Sequence, residues 1–242
     1  GCGLMNEGYW STVLGLPGIP AIAEEVIVGR DILIAEYTRT RIHIAHVSTA
    51  GSVRLIRDAK KRGVQVTAEA APHHFTLTDE ALAGYDTNYK VSPPLRSRAD
   101  VEAVKQGLAD GTIDAIACDH APHARTDKEV EFEYAACGIS GLETSLGLSL
   151  GLVHDKTLTL AQLIARMSLQ PANILKIPAG TLAEGADADI TVIDPALDWT
   201  VDVQSFRSLG KNSPFHGRKM KGRAVLTIVK GTVKYDGRAP RP

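Results

Sequence analysis

Strand-like and helix-like segments alternate along most of the chain. The runs 41–47, 64–70 and 112–119 are short and rich in Ile, Val and Ala, which is typical of strands buried on both faces. Apolar residues at helical spacing predict helices over 21–37, 51–62, 99–109, 141–153 and 160–168. Parallel strands need crossover connections, and helices in those connections cover both faces of the sheet. The order of the segments therefore predicts an α/β fold.

The pattern changes at Gly180. Two further segments, 188–194 and 224–237, have strand character and turn residues, and no helical segment lies between them. The second segment contains Lys230-Gly231, which favours an antiparallel hairpin at that point. We therefore expect two domains, an α/β domain over residues 1–179 and a small β lobe over 180–242.

Composition narrows the class of protein. The 242 residues are 44% hydrophobic and 23% charged, which favours a folded, soluble chain. Because 27 Lys and Arg nearly balance 28 Asp and Glu, no overall field attracts nucleic acid or an anionic membrane, and a small-molecule or protein partner is expected. The three cysteines, Cys2, Cys118 and Cys137, lack metal-knuckle spacing, and we predict a reducing cytoplasm. The chain starts with Gly, so we expect that residue 1 is not the start of the gene product.

Histidines and one aspartate follow the predicted parallel strands. His46 ends the first strand, His73 and His74 follow the second, and Asp119 ends the third. The C-terminal ends of parallel strands meet at one edge of the sheet, where α/β folds place their chemistry. His46 taken alone would be an ordinary buried histidine, but an unpaired Asp119 after an apolar run would be costly and calls for a cation. We therefore predict that His46 and Asp119 bind a metal ion, for which zinc suits nitrogen and oxygen ligands.

Several motifs extend along nearly the whole chain in a recognisable order. They are MNEGYWSTVLGLPGIP, IAHVSTAGS, PPLR, DHAPH, GISGLETSLGL and GTLAEGADADITVIDP. With these motifs the sequence resembles the dihydroorotases of the longer bacterial type, in the amidohydrolase superfamily. The resemblance implies a (β/α)8 barrel with a small β-sandwich lobe. It also implies the interconversion of N-carbamoyl-L-aspartate and L-dihydroorotate in pyrimidine biosynthesis, with one or two zinc ions.

The resemblance assigns roles to individual residues. His46 would be a zinc ligand, and Asp119 would be both a zinc ligand and the group that carries the proton to the leaving nitrogen. His123 would bind the substrate carboxylate, and the backbone at Cys137 and Gly138 would close on the pyrimidine ring. Ser92 stands where the family usually has a substrate-binding Asn, and AACG stands before Ile139 where a Pro-Phe-Gly-type turn is common.

The resemblance is incomplete at the metal site. The other ligands of the family, an HxH pair, a bridging acidic or carboxylated residue and a further His, have no counterpart here, and three of eight barrel strands are predicted. We expect a C-terminal barrel part that is inactive alone and needs an N-terminal segment or fragment. Two alternatives stay open: a hydantoinase or allantoinase, and a non-catalytic homologue that serves as a scaffold for aspartate transcarbamoylase. A homodimer is also expected from the resemblance.

Overall fold

The computed structural model describes residues 4–238, so Cys2 lies outside the described residues. The strands are β1 (Met5–Asn6), β2 (Gly18–Ile19), β3 (Ile42–Ile44), β4 (Val66–Ala70), β5 (Ala115–Ile116), β6 (Ile190–Thr200), β7 (Lys219–Val229) and β8 (Thr232–Asp236). The α-helices are α1 (Tyr9–Leu14), α2 (Ala21–Thr38), α3 (Ala50–Lys61), α4 (Arg98–Asp110), α5 (Arg125–Lys128), α6 (Leu142–His154), α7 (Leu160–Ile164) and α8 (Gln170–Leu175). A π-helical turn, Ala165–Leu169, joins the last two helices.

The three predicted parallel strands form one sheet in the order β3-β4-β5. Both pairs are parallel, with His43 beside Thr67 and Ala70 beside Ile116. Helices α2, α3 and α4 alternate with these strands along the chain, which confirms the predicted α/β class. An apolar core lies between the sheet and the helices, built around Ile56, Ala68 and Leu108.

Local capping explains where these helices begin and end. The Thr49 side chain accepts a hydrogen bond from the Ser52 amide at the start of α3. Ser97 does the same for the Asp100 amide at the start of α4. Gly111 follows α4 with a φ of 84°, a left-handed conformation that glycine adopts without steric cost. The limits of α2, α3 and α4 therefore lie within one residue of the predicted ones, whereas the predicted helix 160–168 is α7 followed by the π-helical turn and continues into α8.

Helix α2 has large apolar residues on its exposed face as well as on its core face. Val28 and Ile32 face the core and are buried, whereas Val26, Leu33 and Ile34 are exposed. Large apolar side chains on the solvent face of a helix indicate a surface to which another element can pack. No helix within residues 4–238 combines the length and apolarity that a membrane span needs.

The C-terminal segment forms an antiparallel sheet in the order β6-β7-β8. Its hairpin turns at Lys230 and Gly231, both with positive φ, as predicted for a tight turn between antiparallel strands. Helix α6 packs closely against β7. A Cβ atom added at Gly147 in α6 would lie 3.0 Å from the Sδ atom of Met220 in β7. The described residues contribute this one sheet to the lobe, so the β-sandwich and the boundary between 179 and 180 stay predictions.

Candidate metal and substrate site

His46 lies two residues beyond β3 in an unusual backbone conformation. Its φ is 37°, in the left-handed region that non-glycine residues rarely adopt. The next residue returns to the sheet, since the Val47 amide donates to Glu69 O at 2.9 Å. Strained backbone of this kind is concentrated at functional sites, where the surrounding structure holds it in place.

Asp119 repeats this arrangement three residues beyond β5. Its φ is 47°, and its side chain is 35% exposed at the C-terminal edge of the sheet. Burial raises the pKa of the Asp119 carboxyl, the His46 imidazole opposes that rise, and the negative charge of Glu69 adds to it. The two predicted ligands therefore lie at the same edge of the sheet and interact electrostatically.

His73 joins this pair, although the sequence analysis gave it no role. Its Nε2 atom lies 3.8 Å from Asp119 Oδ2, and the side chain is 3% exposed. That nitrogen is buried and has no hydrogen-bond partner. Burial lowers the pKa of His73 well below its usual value, with smaller contributions from His74 and His46, so the imidazole is neutral at neutral pH. The available signal was its position directly after β4, in Ala-Pro-His-His.

These side chains have the donor types that zinc prefers. His46 supplies a nitrogen and Asp119 an oxygen, and the unpaired buried Nε2 of His73 faces the same carboxylate. Within residues 4–238, however, no cluster of three or more potential ligands is close enough to hold a metal ion. Catalytic zinc sites usually have three protein ligands. The described residues therefore fit part of a zinc site.

A buried ion pair supports the loop that carries His46. The Glu24 carboxylate accepts hydrogen bonds from the backbone amides of Ser48 and Thr49, each at 3.1 Å, and a further short one from the Ser48 hydroxyl. Arg96 lies 3.8 Å from this carboxylate and donates to Asn6 Oδ1 at 3.0 Å. Burial alone would raise the pKa of Glu24, but the Ser48 hydrogen bonds and the Arg96 charge outweigh it and the pKa is lowered.

The predicted substrate residues His123, Cys137 and Gly138 lie together. His123 Nε2 is 2.9 Å from the carbonyl oxygen of Cys137. Gly138 has a φ of 143°, and a Cβ there would lie 2.5 Å from the Ala121 Cβ and 3.1 Å from His123 Nε2. Only glycine fits this approach. Cys137 itself is an exposed free thiol.

Ser92 lies two residues after Lys90, whose carbonyl oxygen accepts a hydrogen bond from the Gly138 amide at 2.9 Å. Ser92 itself is exposed at the start of the Ser92-Pro93-Pro94 turn. The turn is tied to the metal side of the site, because His74 Nε2 is 2.9 Å from Pro93 O and His74 stacks edge-on against His73. The predicted residues thus form two groups, His46 with Asp119 and His123 with Cys137 and Gly138. Ser92 lies on a segment that contacts both groups, the first through the histidine pair and the second through the hydrogen bond between Lys90 and Gly138.

Two curated relatives are similar to this chain in sequence over nearly its whole length. A dihydroorotase from Syntrophus aciditrophicus is 64% identical over 234 residues, which are 97% of this chain and 55% of that protein. A dihydroorotase from Pelotomaculum thermopropionicum is 62% identical over 240 residues, which are 99% of this chain and 56% of that protein. The predicted resemblance to dihydroorotases is therefore confirmed, and the chain spans about half the length of the curated relatives it matches.

Solved structures agree on the fold. The L-hydantoinase (dihydropyrimidinase) from Arthrobacter aurescens is 34% identical, with a TM-score of 0.87 over 91% of this chain and 50% of that one. A dihydropyrimidinase from Brevibacillus agri is 26% identical, with a TM-score of 0.86 over 90% of this chain and 50% of that one. Residues 30–234 match the amidohydrolase family. Because this match covers most of its length, the chain belongs to the amidohydrolase family.

Proposed function

We propose that this chain is the C-terminal barrel part of a zinc-dependent dihydroorotase, which interconverts N-carbamoyl-L-aspartate and L-dihydroorotate. The observation that carries the proposal is the pair His46 and Asp119, two left-handed residues at the same edge of the parallel sheet. Identity of 64% to a dihydroorotase, against 34% to a hydantoinase, favours this substrate over the hydantoinase alternative.

Asp119 would hold and transfer the proton. Ring opening moves a proton from the attacking water to the leaving nitrogen, and a partly buried carboxylate beside that path suits this transfer. Burial raises the pKa of the Asp119 carboxyl, and the positive charge of the zinc ion would keep that carboxyl ionised until it accepts the proton. His46 and Asp119 would hold the zinc, which when bound polarises the amide carbonyl and acidifies water.

The second group of residues would bind the substrate. Dihydroorotate carries a carboxylate that hydantoin and dihydrouracil lack, so its enzyme needs a site for that charge. We assign this site to His123, and we assign contacts with the ring to the backbone at Cys137 and Gly138. Ser92 would contribute one hydroxyl at the remaining side of the ring.

The remaining metal ligands would come from an N-terminal barrel part. Two features support such a partner. Strand β3 pairs on one side only among the described strands, and α2 beside it exposes Val26, Leu33 and Ile34. An open strand edge next to an apolar helix face is the surface to which a further strand and helix of a barrel would add. The sandwich form of the C-terminal lobe and a homodimer also remain parts of the proposal.

A chimera tests the proposal. The part of the Syntrophus aciditrophicus dihydroorotase that precedes its match to this chain is joined to this chain and purified with zinc. We expect one to two zinc ions per molecule and conversion of dihydroorotate, and we expect Asp119→Asn to lower kcat by at least about a thousandfold, because it removes both a ligand and the proton carrier. Asp58→Asn, which changes an exposed carboxylate on α3 (54% exposed), should leave kcat unchanged.

The same chimera separates the alternatives. Activity on hydantoin, allantoin or dihydrouracil with none on dihydroorotate would replace the proposal with a hydantoinase or allantoinase. A folded, zinc-loaded chimera with no activity on any of these substrates would contradict a catalytic role. Co-elution of that inactive protein with aspartate transcarbamoylase would then favour the scaffold.

A further inference from the structure

Asn212 lies in the connection between β6 and β7, far along the chain from the candidate site. Its side chain is 5% exposed, and all of its hydrogen-bonding capacity is used. Oδ1 accepts from the His123 amide at 2.9 Å, and it lies 2.8 Å from the Ser140 hydroxyl, which shares its single proton with the Gly210 carbonyl oxygen, also at 2.8 Å. Nδ2 donates to the carbonyl oxygens of Ala121 and Gly138, both at 3.0 Å. A buried amide with four partners is a specific structural link, because each partner left unpaired would be costly.

The two segments that Asn212 joins are those of the second residue group. One segment, 121–123, follows Asp119 and ends at His123, and the other, 138–140, begins at Gly138. The Asn212 backbone adds a fifth bond, since its carbonyl oxygen accepts from the Ser140 amide at 2.8 Å. The two segments also meet each other, through the Ala121 amide and Ile139 O at 2.9 Å.

Other contacts keep this link tight. The Gly138 carbonyl accepts a second hydrogen bond, from the buried Nζ of Lys128 at 3.3 Å. Gly210, two residues before Asn212, packs so closely that a Cβ there would lie 2.6 Å from the Cβ of Pro122. By contrast, the neighbouring Ser213 hydroxyl is buried without any hydrogen-bond partner. Of these two neighbouring side chains, Asn212 is therefore the one that forms hydrogen bonds to the two segments.

We infer that Asn212 is a positioning residue that sets the separation between the His123 imidazole and the Gly138 backbone, and so shapes the site for the substrate carboxylate. This inference rests on the proposed function. Asn212 touches neither His46 nor Asp119 in the contacts of the described residues, and its influence is confined to substrate binding. Loss of the link therefore raises KM and leaves the chemical step intact.

The test compares Asn212→Asp with Ser213→Ala in the chimera. Aspartate has the same shape but lacks the two N–H donors, and its charge faces the carbonyl oxygens of Ala121 and Gly138. We expect KM for dihydroorotate to rise by roughly tenfold or more, with kcat within about threefold of the parent. Ser213→Ala, which removes an adjacent buried hydroxyl without a partner, should change neither constant. If the aspartate variant does not fold, Asn212→Ser, which has a small neutral side chain, replaces it. We expect the same rise in KM with little change in kcat.

A second readout uses this chain without the added N-terminal part. Amide hydrogen exchange at residues 121, 123, 138 and 140 should be faster in Asn212→Asp than in Ser213→Ala. Unchanged exchange, a fall in kcat at constant KM, or an equal effect of Ser213→Ala would each overturn the inference. If the parent chimera does not convert dihydroorotate, the proposed function fails, and the exchange measurement still decides whether Asn212 holds the two segments.

Discussion

His74 is a buried imidazole with one satisfied and one unsatisfied nitrogen. Nε2 lies 2.9 Å from Pro93 O and donates its proton to that oxygen, whereas Nδ1 is buried without a partner. A second proton would have to sit on Nδ1, where no acceptor receives it. Burial accordingly lowers the pKa of His74 to about 4, from an ordinary value of 6.5, and the Pro93 hydrogen bond opposes that effect only in part.

This environment predicts acid destabilisation of the chain. Between pH 6.5 and about 4 the unfolded state binds a proton at His74 and the folded state does not, so stability falls as the pH falls. His74 alone should contribute a slope approaching about 1.4 kcal/mol per pH unit in that window. In urea unfolding from pH 7 to 5, His74→Gln should show a shallower loss of stability than the parent chain. His154→Gln, at an exposed histidine of α6, is the control, and equal slopes for both variants would contradict the prediction.

Sequence position indicated some residues of the candidate site and gave no signal for others. His46 and Asp119 could be selected as candidate ligands because a polar residue at the end of an apolar strand has few purely structural explanations. His73 occupies an equivalent position, but its significance depends on a buried nitrogen without a partner, which no pattern of residues reveals. Asn212 has no local signal either, since its partners lie 72 to 91 positions away in the chain.

At the scale of elements, α2 and the loop after β3 are joined by Glu24. This carboxylate at the start of α2 accepts hydrogen bonds from two backbone amides of the loop. It also faces Arg96, which is itself 2% exposed. The ion pair is thus almost completely removed from water. A buried charge that loses its partner keeps its desolvation cost without compensation.

We therefore predict that Glu24→Gln destabilises the chain by about 3 kcal/mol. Glu36→Gln makes the same chemical change on the same helix, in an exposed ion pair with Arg62, and should destabilise the chain much less, because water screens that pair. Urea unfolding of both variants at pH 7 measures the difference. Equal losses of stability would mean that the buried pair does not anchor the loop.

Helices were predicted more accurately than strands, for a physical reason. Capping residues such as Thr49 and Ser97 fix helix ends locally, so the sequence contains the information. Strand length depends on pairing with other segments. The run 112–119 predicted a long strand, but β5 is paired over Ala115–Ile116 only, and the left-handed conformation of Asp119 ends the extended backbone. The predicted strand was therefore too long, and its C-terminal end, where the prediction was wrong, lies at the candidate site.

At the scale of the molecule, the described residues combine a well-packed core with one apolar face that has no cover. The core around Ile56 and Leu108 is closed, whereas α2 exposes a row of large apolar side chains next to the free edge of β3. Such a surface is unusual for a separate globular domain. It is expected where a barrel has been divided between two parts, because each part then exposes the helix and strand that the other would cover.

Ile34 tests this explanation directly. It is 52% exposed and lines a groove between α2 and the β3 edge together with Thr38 and Ile42. If an N-terminal barrel part fills that groove, Ile34→Lys buries a charge against it and should weaken binding of a separately purified N-terminal part by at least roughly tenfold, since burial of such a side chain is worth about 1.5–3 kcal/mol. Leu209→Lys, at a side chain that is 97% exposed in the connection after β6, should leave the Kd unchanged. Calorimetric titration of each variant with the N-terminal part measures the effect. An unchanged Kd for Ile34→Lys, with the parent complex formed, would mean that the partner binds elsewhere and that α2 is covered in another way.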